Sequence, residues 1–168
     1  GTGDVTGGLN GLMDVTVSPE GTHVYTSAFT NNAVAVFSRD TTDGTLTFVE
    51  YNQHLQDDGN GNTVQGLEGV YAATVSPDGR IVYAAGNTSN AVSVFNRNPA
   101  DGSLEFLEYI KDDSAGVNGL ALARYVQFSP DARHVYVSGT TDNAIAVFRV
   151  KQYYPTGDCD LDGNITAV

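Results

Sequence analysis

The chain has 168 residues, 40% of them apolar, and carries 20 Asp and Glu against eight Lys and Arg for a formal net charge of −12. That length suits one core with a small appendage, and the acidity argues against phosphate backbones and anionic lipids as partners, so neither nucleic acid binding nor membrane insertion is expected. No apolar stretch approaches a bilayer span, no charged and apolar leader opens the sequence, so any secretion signal is expected to have been removed or never present, and the single cysteine, Cys159, leaves the redox compartment undecided.

Nearly the same phrase is spelled three times, starting at Gly8-Leu9, Gly66-Leu67 and Gly119-Leu120, 58 and then 53 residues apart. In the first copy Leu12 to Val17 has the length and apolar pattern of a strand and stops at Ser18-Pro19-Glu20-Gly21, a turn in which Pro presets φ and Gly accepts a positive one. A second strand, His23 to Phe29, turns at Asn31-Asn32 into a third, Ala33 to Ser38, and Asp40 to Gly44 leads to a fourth, Leu46 to Tyr51. The second copy repeats this plan through Ser76-Pro77, Val82-Tyr83 and Phe95 to a fourth strand at Leu104 to Ile110. The third runs through Ser129-Pro130, Val135-Tyr136 and Phe148, but Pro155 stands where the earlier copies have the turn glycines Gly44 and Gly102.

Rich β-branched and aromatic content favours strands over helices, and a unit repeating at this period stacks on copies of itself. Four antiparallel strands per unit describe a propeller blade. The expected fold is therefore all-β, with about three four-stranded antiparallel blades, the third incomplete. The blades occupy residues 1–154, with repeats near 8–65, 66–118 and 119–154, and residues 155–168 form a separate acidic tail.

The blade phrase Gly-Leu-x-Gly, Val-Ser-Pro-Asp-Gly-x-x-Val-Tyr, Asn-Ala-Val-x-Val-Phe-x-Arg and Asp-Gly-x-Leu-x-Phe-x-Glu resembles the lactonase-type β-propellers, the sugar-lactonase-like group and its Tyr-Val-rich surface-protein relatives. The resemblance covers roughly residues 8 to 150 and is to the scaffold, so it implies a fold more strongly than an activity. Propellers close with about four to eight blades, which leaves apolar faces open at both ends here and a bare edge at Ala144 to Val150. The expected partner is the chain itself, as a homo-oligomer, or the remaining blades of a longer chain.

The tail reads Asp158-Cys159-Asp160-Leu161-Asp162-Gly163-Asn164-Ile165-Thr166. Asp158, Asp160 and Asp162 with Gly163 match positions 1, 3, 5 and 6 of a calcium loop, with Asn164 and Thr166 at positions 7 and 9, so calcium is the expected cofactor. It looks like the opening half of an EF-hand or dockerin-like module. The twelfth, bidentate ligand would fall one position past Val168.

No Ser-His-Asp set, Cys-His pair or phosphate loop appears. His23 and His134 occupy equivalent positions and read as scaffold, whereas His54 lies in the loop outside the repeat and is the functional candidate. In propellers resembling this one, ligands sit at the mouth of the channel, which implies Asp14, Glu68, Tyr71, Arg124 and Tyr125 as ligand-binding candidates, with Asn10 beside them. Arg124 suits a substrate carboxylate or phosphate, or a salt bridge with Glu68, and the salt bridge is the expectation. No complete set for lactone hydrolysis stands among the copies. The leading expectation is a non-catalytic binding module of a secreted protein, extracellular or periplasmic. The alternative is part of a lactonase-like hydrolase with its site at the central channel.

Overall fold

A computed structural model describes residues 9–150. The calcium-loop residues Asp158, Asp160, Asp162, Asn164 and Thr166 lie outside them. The first sheet holds β1 (Leu12–Val17), β2 (His23–Ala28), β3 (Ala33–Arg39) and β4 (Leu46–Gln53), joined antiparallel in chain order. The second repeats it with β5 (Val70–Val75), β6 (Ile81–Gly86), β7 (Ala91–Arg97) and β8 (Leu104–Lys111). The third has β9 (Ala123–Phe128), β10 (His134–Gly139) and β11 (Ala144–Arg149), three strands among the described residues. The expected all-β blades are therefore present, and the expected strands differ from the observed ones only by a residue or two at their ends.

The turns form for the reasons their residues suggest. Ser18, Ser76 and Ser129 each accept at Oγ the backbone N–H five residues on, at 2.9–3.1 Å, which closes the β1–β2, β5–β6 and β9–β10 hairpins. Between the second and third strands of each blade, Asn32, Asn90 and Asn143 take left-handed φ of 52–54°, a region Asn tolerates better than most side chains.

The core lies between blades. Tyr25, Val34 and Val36 of the first blade pack with Ala73, Val75, Val82, Phe95 and Leu104 of the second. The opposite face of the second blade, with Tyr83, Val92 and Val94, packs with Val126, Phe128 and Val135 of the third. Strands β2, β3, β6 and β7 are consequently buried almost throughout. The outward faces of the two end blades expose Val15, Val17, Leu46 and Phe48 on one side and Tyr125, Tyr136 and Ile145 on the other.

A charged clasp crosses the first of these interfaces. Arg97, 2% exposed at the end of β7, donates to the Gly79 carbonyl of its own blade and to the Tyr25 hydroxyl, the Glu20 carboxylate and His23 Nδ1 of the first. Tyr25 in turn donates to the Gly102 carbonyl at 2.8 Å. A buried guanidinium is tolerated because every face of its fork meets an acceptor.

Burial pushes the Glu20 carboxyl up, but its own backbone N–H and the Arg97 guanidinium outweigh that and hold it at about 2, against an ordinary 4.5. A carboxyl lowered in the folded state stabilises above its unfolded value and loses that contribution as pH falls through the folded one. Stability should therefore drop between pH 4.5 and about 2, and Arg97→Met should flatten that acid limb in chemical denaturation at stepped pH. At neutral pH the same variant should lose about 2–3 kcal/mol, since it leaves the Gly79 carbonyl and Glu20 without their partner.

Candidate functional site

The longest excursion from the repeat runs from β4 to β5, and it builds a cleft on the second blade. The His54 backbone N–H donates to the Asn32 carbonyl at 2.9 Å, the Leu55 N–H to the Val64 carbonyl at 2.8 Å and the Val64 N–H to the Gln56 carbonyl at 2.9 Å. Asp58 is the hub of this loop: its carboxylate accepts from Asn60 N, Asn62 N, Asn62 Nδ2 and, across the blade boundary, Phe106 N, at 2.8–3.0 Å. Burial raises the Asp58 carboxyl, and these donors overcome it and hold the group below the usual carboxylate range. Val64 and Leu67, fully buried, anchor the returning segment. Gly66 lets it lie flat on the sheet: at φ +83° its backbone passes so close that a Cβ would stand 2.6 Å from Ser93 Oγ.

His54, Gln65, Glu68, Ser89, Tyr109 and Lys111 line the resulting open cleft of about 290 Å³. His54 Nδ1 is buried and without a hydrogen-bond partner. The Glu68 N–H donates to Ser89 Oγ at 2.9 Å, which fixes the start of the β5 segment against the β6–β7 turn, while the Glu68 side chain stays exposed. One carboxylate, one imidazole and one ammonium thus share a cavity of sugar size, a proton acceptor, a proton carrier and a cation. Among the described residues no group of three or more His, Cys, Asp or Glu side chains could hold a metal. Asp57, Asp58 and Asp112 are engaged in backbone hydrogen bonds.

The remaining candidates gather elsewhere, on the innermost strands. Arg124 on β9 donates to the Tyr71 hydroxyl on β5 at 2.6 Å and lies over the Tyr71 ring at 4.5 Å and near the Tyr125 ring at 6.0 Å. Phe29 meets Tyr71 edge-on at 6.4 Å. This stack joins all three blades. The Tyr71 hydrogen bond keeps Arg124 more firmly protonated than usual. The expected Arg124–Glu68 salt bridge does not form: Glu68 belongs to the cleft, and the aromatic hydroxyl and π faces offer the guanidinium a nearer partner. Asp14 accepts the Ala73 N–H at 3.2 Å and so ties β1 to β5. The candidates therefore divide into a cleft pair, His54 with Glu68, and a group across the inner strands, Asp14, Tyr71, Arg124 and Tyr125.

Sequence reasoning missed Lys111 and Ser89, which the fold carries to His54 from the end of β8 and from the β6–β7 turn. It also missed the Arg97 clasp, whose signal was present: Arg39 and Arg97 recur two residues after Phe37 and Phe95.

Residues 2–58 and 67–156 match the family profile described as lactonase, 7-bladed beta-propeller. A 6-phosphogluconolactonase of Enterobacter sp. (strain 638) is 22% identical over 167 residues, which cover 99% of this chain and 45% of that protein. Among solved structures, the periplasmic gluconolactonase of Pseudomonas aeruginosa superposes with a TM-score of 0.70 at 23% identity, covering 94% of this chain and 39% of that one. A Bacteroides uniformis protein provisionally described as a 6-phosphogluconolactonase gives 0.71 at 23% identity, covering 95% and 41%. The chain spans about half the length of the curated relative it matches, and at these identities the structural likeness speaks to the fold alone. These findings correct the leading expectation of a non-catalytic binding module: the matching family is one of lactonases, and the named relatives are gluconolactonases rather than binding proteins.

Proposed function

The chain belongs to the lactonase family of seven-bladed β-propellers, and from that premise we propose that it is part of a lactonase-type hydrolase whose substrate is a sugar-acid lactone. The observation that carries the reading is the cleft that Glu68, His54 and Lys111 line together. Ester hydrolysis needs a base for the attacking water, an acid for the leaving oxygen and positive charge against the oxyanion between them. Glu68 takes the proton as water adds to the ring carbonyl. Lys111 faces the tetrahedral oxyanion. His54 returns a proton to the ring oxygen as its bond to the carbonyl carbon breaks, and a hydroxy acid leaves. A volume of about 290 Å³ accommodates one sugar ring. The polar rim of Gln65 and Ser89 suits its hydroxyls. In this reading Arg124 is a packing residue and not an anchor for substrate.

A place outside the cytoplasm belongs to the same proposal, since one similar structure is of a periplasmic gluconolactonase. Calcium at the C-terminal loop is a separate proposal that rests on the spacing of Asp158, Asp160 and Asp162.

Hydrolysis of δ-gluconolactone, followed by acid release at constant pH, tests the site. Glu68→Gln and His54→Gln should each lower kcat by about 100-fold or more, the usual weight of a positioned acid or base. Arg124→Met should leave kcat within a few-fold of the wild type. Equal rates in the wild type and the two cleft variants would remove the cleft from consideration, and no turnover by the wild type would refute the reading. For the tail, Asp162→Ala should abolish the calcium heat seen by titration calorimetry, and unchanged binding would refute that loop.

A further inference from the structure

Resting on the reading of the cleft as the reaction site, we infer that Asn32 of the first blade is the positioning residue that sets His54 and Glu68 at their working separation.

The two side chains hang on opposite ends of the β4–β5 loop, and Asn32 bonds to both ends. Its carbonyl accepts the His54 N–H at 2.9 Å, and its Oδ1 accepts the N–H of Gly69, the amide that follows Glu68, at 2.7 Å. His54 Nδ1 has no hydrogen-bond partner among the described residues, so no bond at that nitrogen orients the ring, and its place is set through the main chain. The Glu68 main chain is engaged as fully. Its N–H donates to Ser89 Oγ at 2.9 Å, and its carbonyl accepts from the N–H groups of Thr88 and Ser89, each at 3.1 Å. Those three bonds all come from the β6–β7 turn of the second blade. The Asn32 bond is the one that refers Glu68 to His54.

There is little slack in the arrangement. Gly69 has a φ of +63°, and a Cβ on it would collide with Thr88, so the Glu68–Gly69 peptide is pressed onto the β6–β7 turn. Asn32 supplies its fixed point on the first blade. An Asn suits that place twice over: its φ of 54° is one that Asn tolerates, and its amide oxygen reaches the Gly69 N–H. Gly meets the first requirement and fails the second, whereas Asp meets both.

The second blade repeats the clamp but not what it holds. Asn90, at φ 52°, accepts the Asp112 N–H at its carbonyl at 2.9 Å and the Leu122 N–H at Oδ1 at 2.8 Å. Asp112 and Ala121 stand there at the positions of His54 and Glu68, and the Asp112 carboxylate is spent on the Leu120 N–H at 3.0 Å. A clamp built into the scaffold thus gains a chemical consequence only where it holds an imidazole and a carboxylate. A misplacement of about 1 Å can slow a reaction about 100-fold, so the residue that fixes both groups bears on the rate without touching substrate.

Steady-state hydrolysis of δ-gluconolactone by the wild-type protein and its variants tests the assignment. Asn32→Gly keeps the left-handed φ and removes the acceptor, and it should lower kcat about 10- to 100-fold with KM within a few-fold of the wild type. Asn32→Asp keeps both and should hold kcat within a few-fold of the wild type. The double variant N32G/E68Q should be slower than E68Q by no more than about two-fold, because the carboxylate that Asn32 positions is gone. Circular dichroism should show folded strands throughout; if N32G does not fold, Asn32→Ser, whose hydroxyl is too short to reach Gly69, takes its place. A folded variant as fast as the wild type, beside a slow E68Q, would overturn the role of Asn32 and leave the cleft standing. Equal losses in the wild-type and E68Q backgrounds would overturn it as well, marking a bond that is structural only. An E68Q variant as fast as the wild type would instead remove the cleft, and the role of Asn32 with it.

Discussion

No blade in this protein can bury its own faces, and the rest of the structure follows from that constraint. A twisted sheet of three or four short strands has two apolar sides, and only another sheet about 10 Å away can cover them. The second blade has such a neighbour on each side, so β6 is buried along its whole length and β7 everywhere but at Asn96. The first and third blades have one described neighbour each, and they expose the residues that the second blade buries. Stability here resides between repeats rather than within them, as nearest-neighbour coupling in a repeat protein requires.

The Arg97 clasp shows how such an interface acquires specificity. Apolar contact between sheets is forgiving of small slips, whereas a guanidinium with acceptors on two blades is satisfied in only one register. Loss of that register would strand a charge that is 2% exposed. The second interface is built otherwise, with Ile81 and Val150 in place of His23 and Arg97, so the two described blade contacts are of different kinds.

The cleft is also a product of blade packing. His54, Glu68 and Lys111 are far apart in sequence, and the β4–β5 loop brings the first two onto the second blade through a single carboxylate, Asp58, that bonds to the loop and to Phe106. Gly66 then lets the segment lie close on the sheet, where Glu68 and Lys111 line the same cavity. A loop so tied is a rigid support for chemistry. The inner stack of Arg124 on Tyr71 serves a mechanical end, joining β5 to β9 near the axis.

Strand positions, hairpin turns and the blade repeat were legible in the residues because they depend on local physics: side-chain alternation, Pro and Gly in tight turns, and Asn at left-handed φ. Val24-Tyr25, Val82-Tyr83 and Val135-Tyr136 announced equivalent strands wherever they occurred. His54 stood out because it falls outside the repeat. The partners of these residues were not legible. Whether Arg124 meets Glu68 or Tyr71, and whether His54 lines a cavity with Lys111, depends on distances between blades that no spacing along the chain encodes. By itself the sequence determined the unit, its count and its apolar faces; only the stacking of those units decided which charges are buried together and which share a cleft, because that is settled by contacts between residues 50 to 80 positions apart.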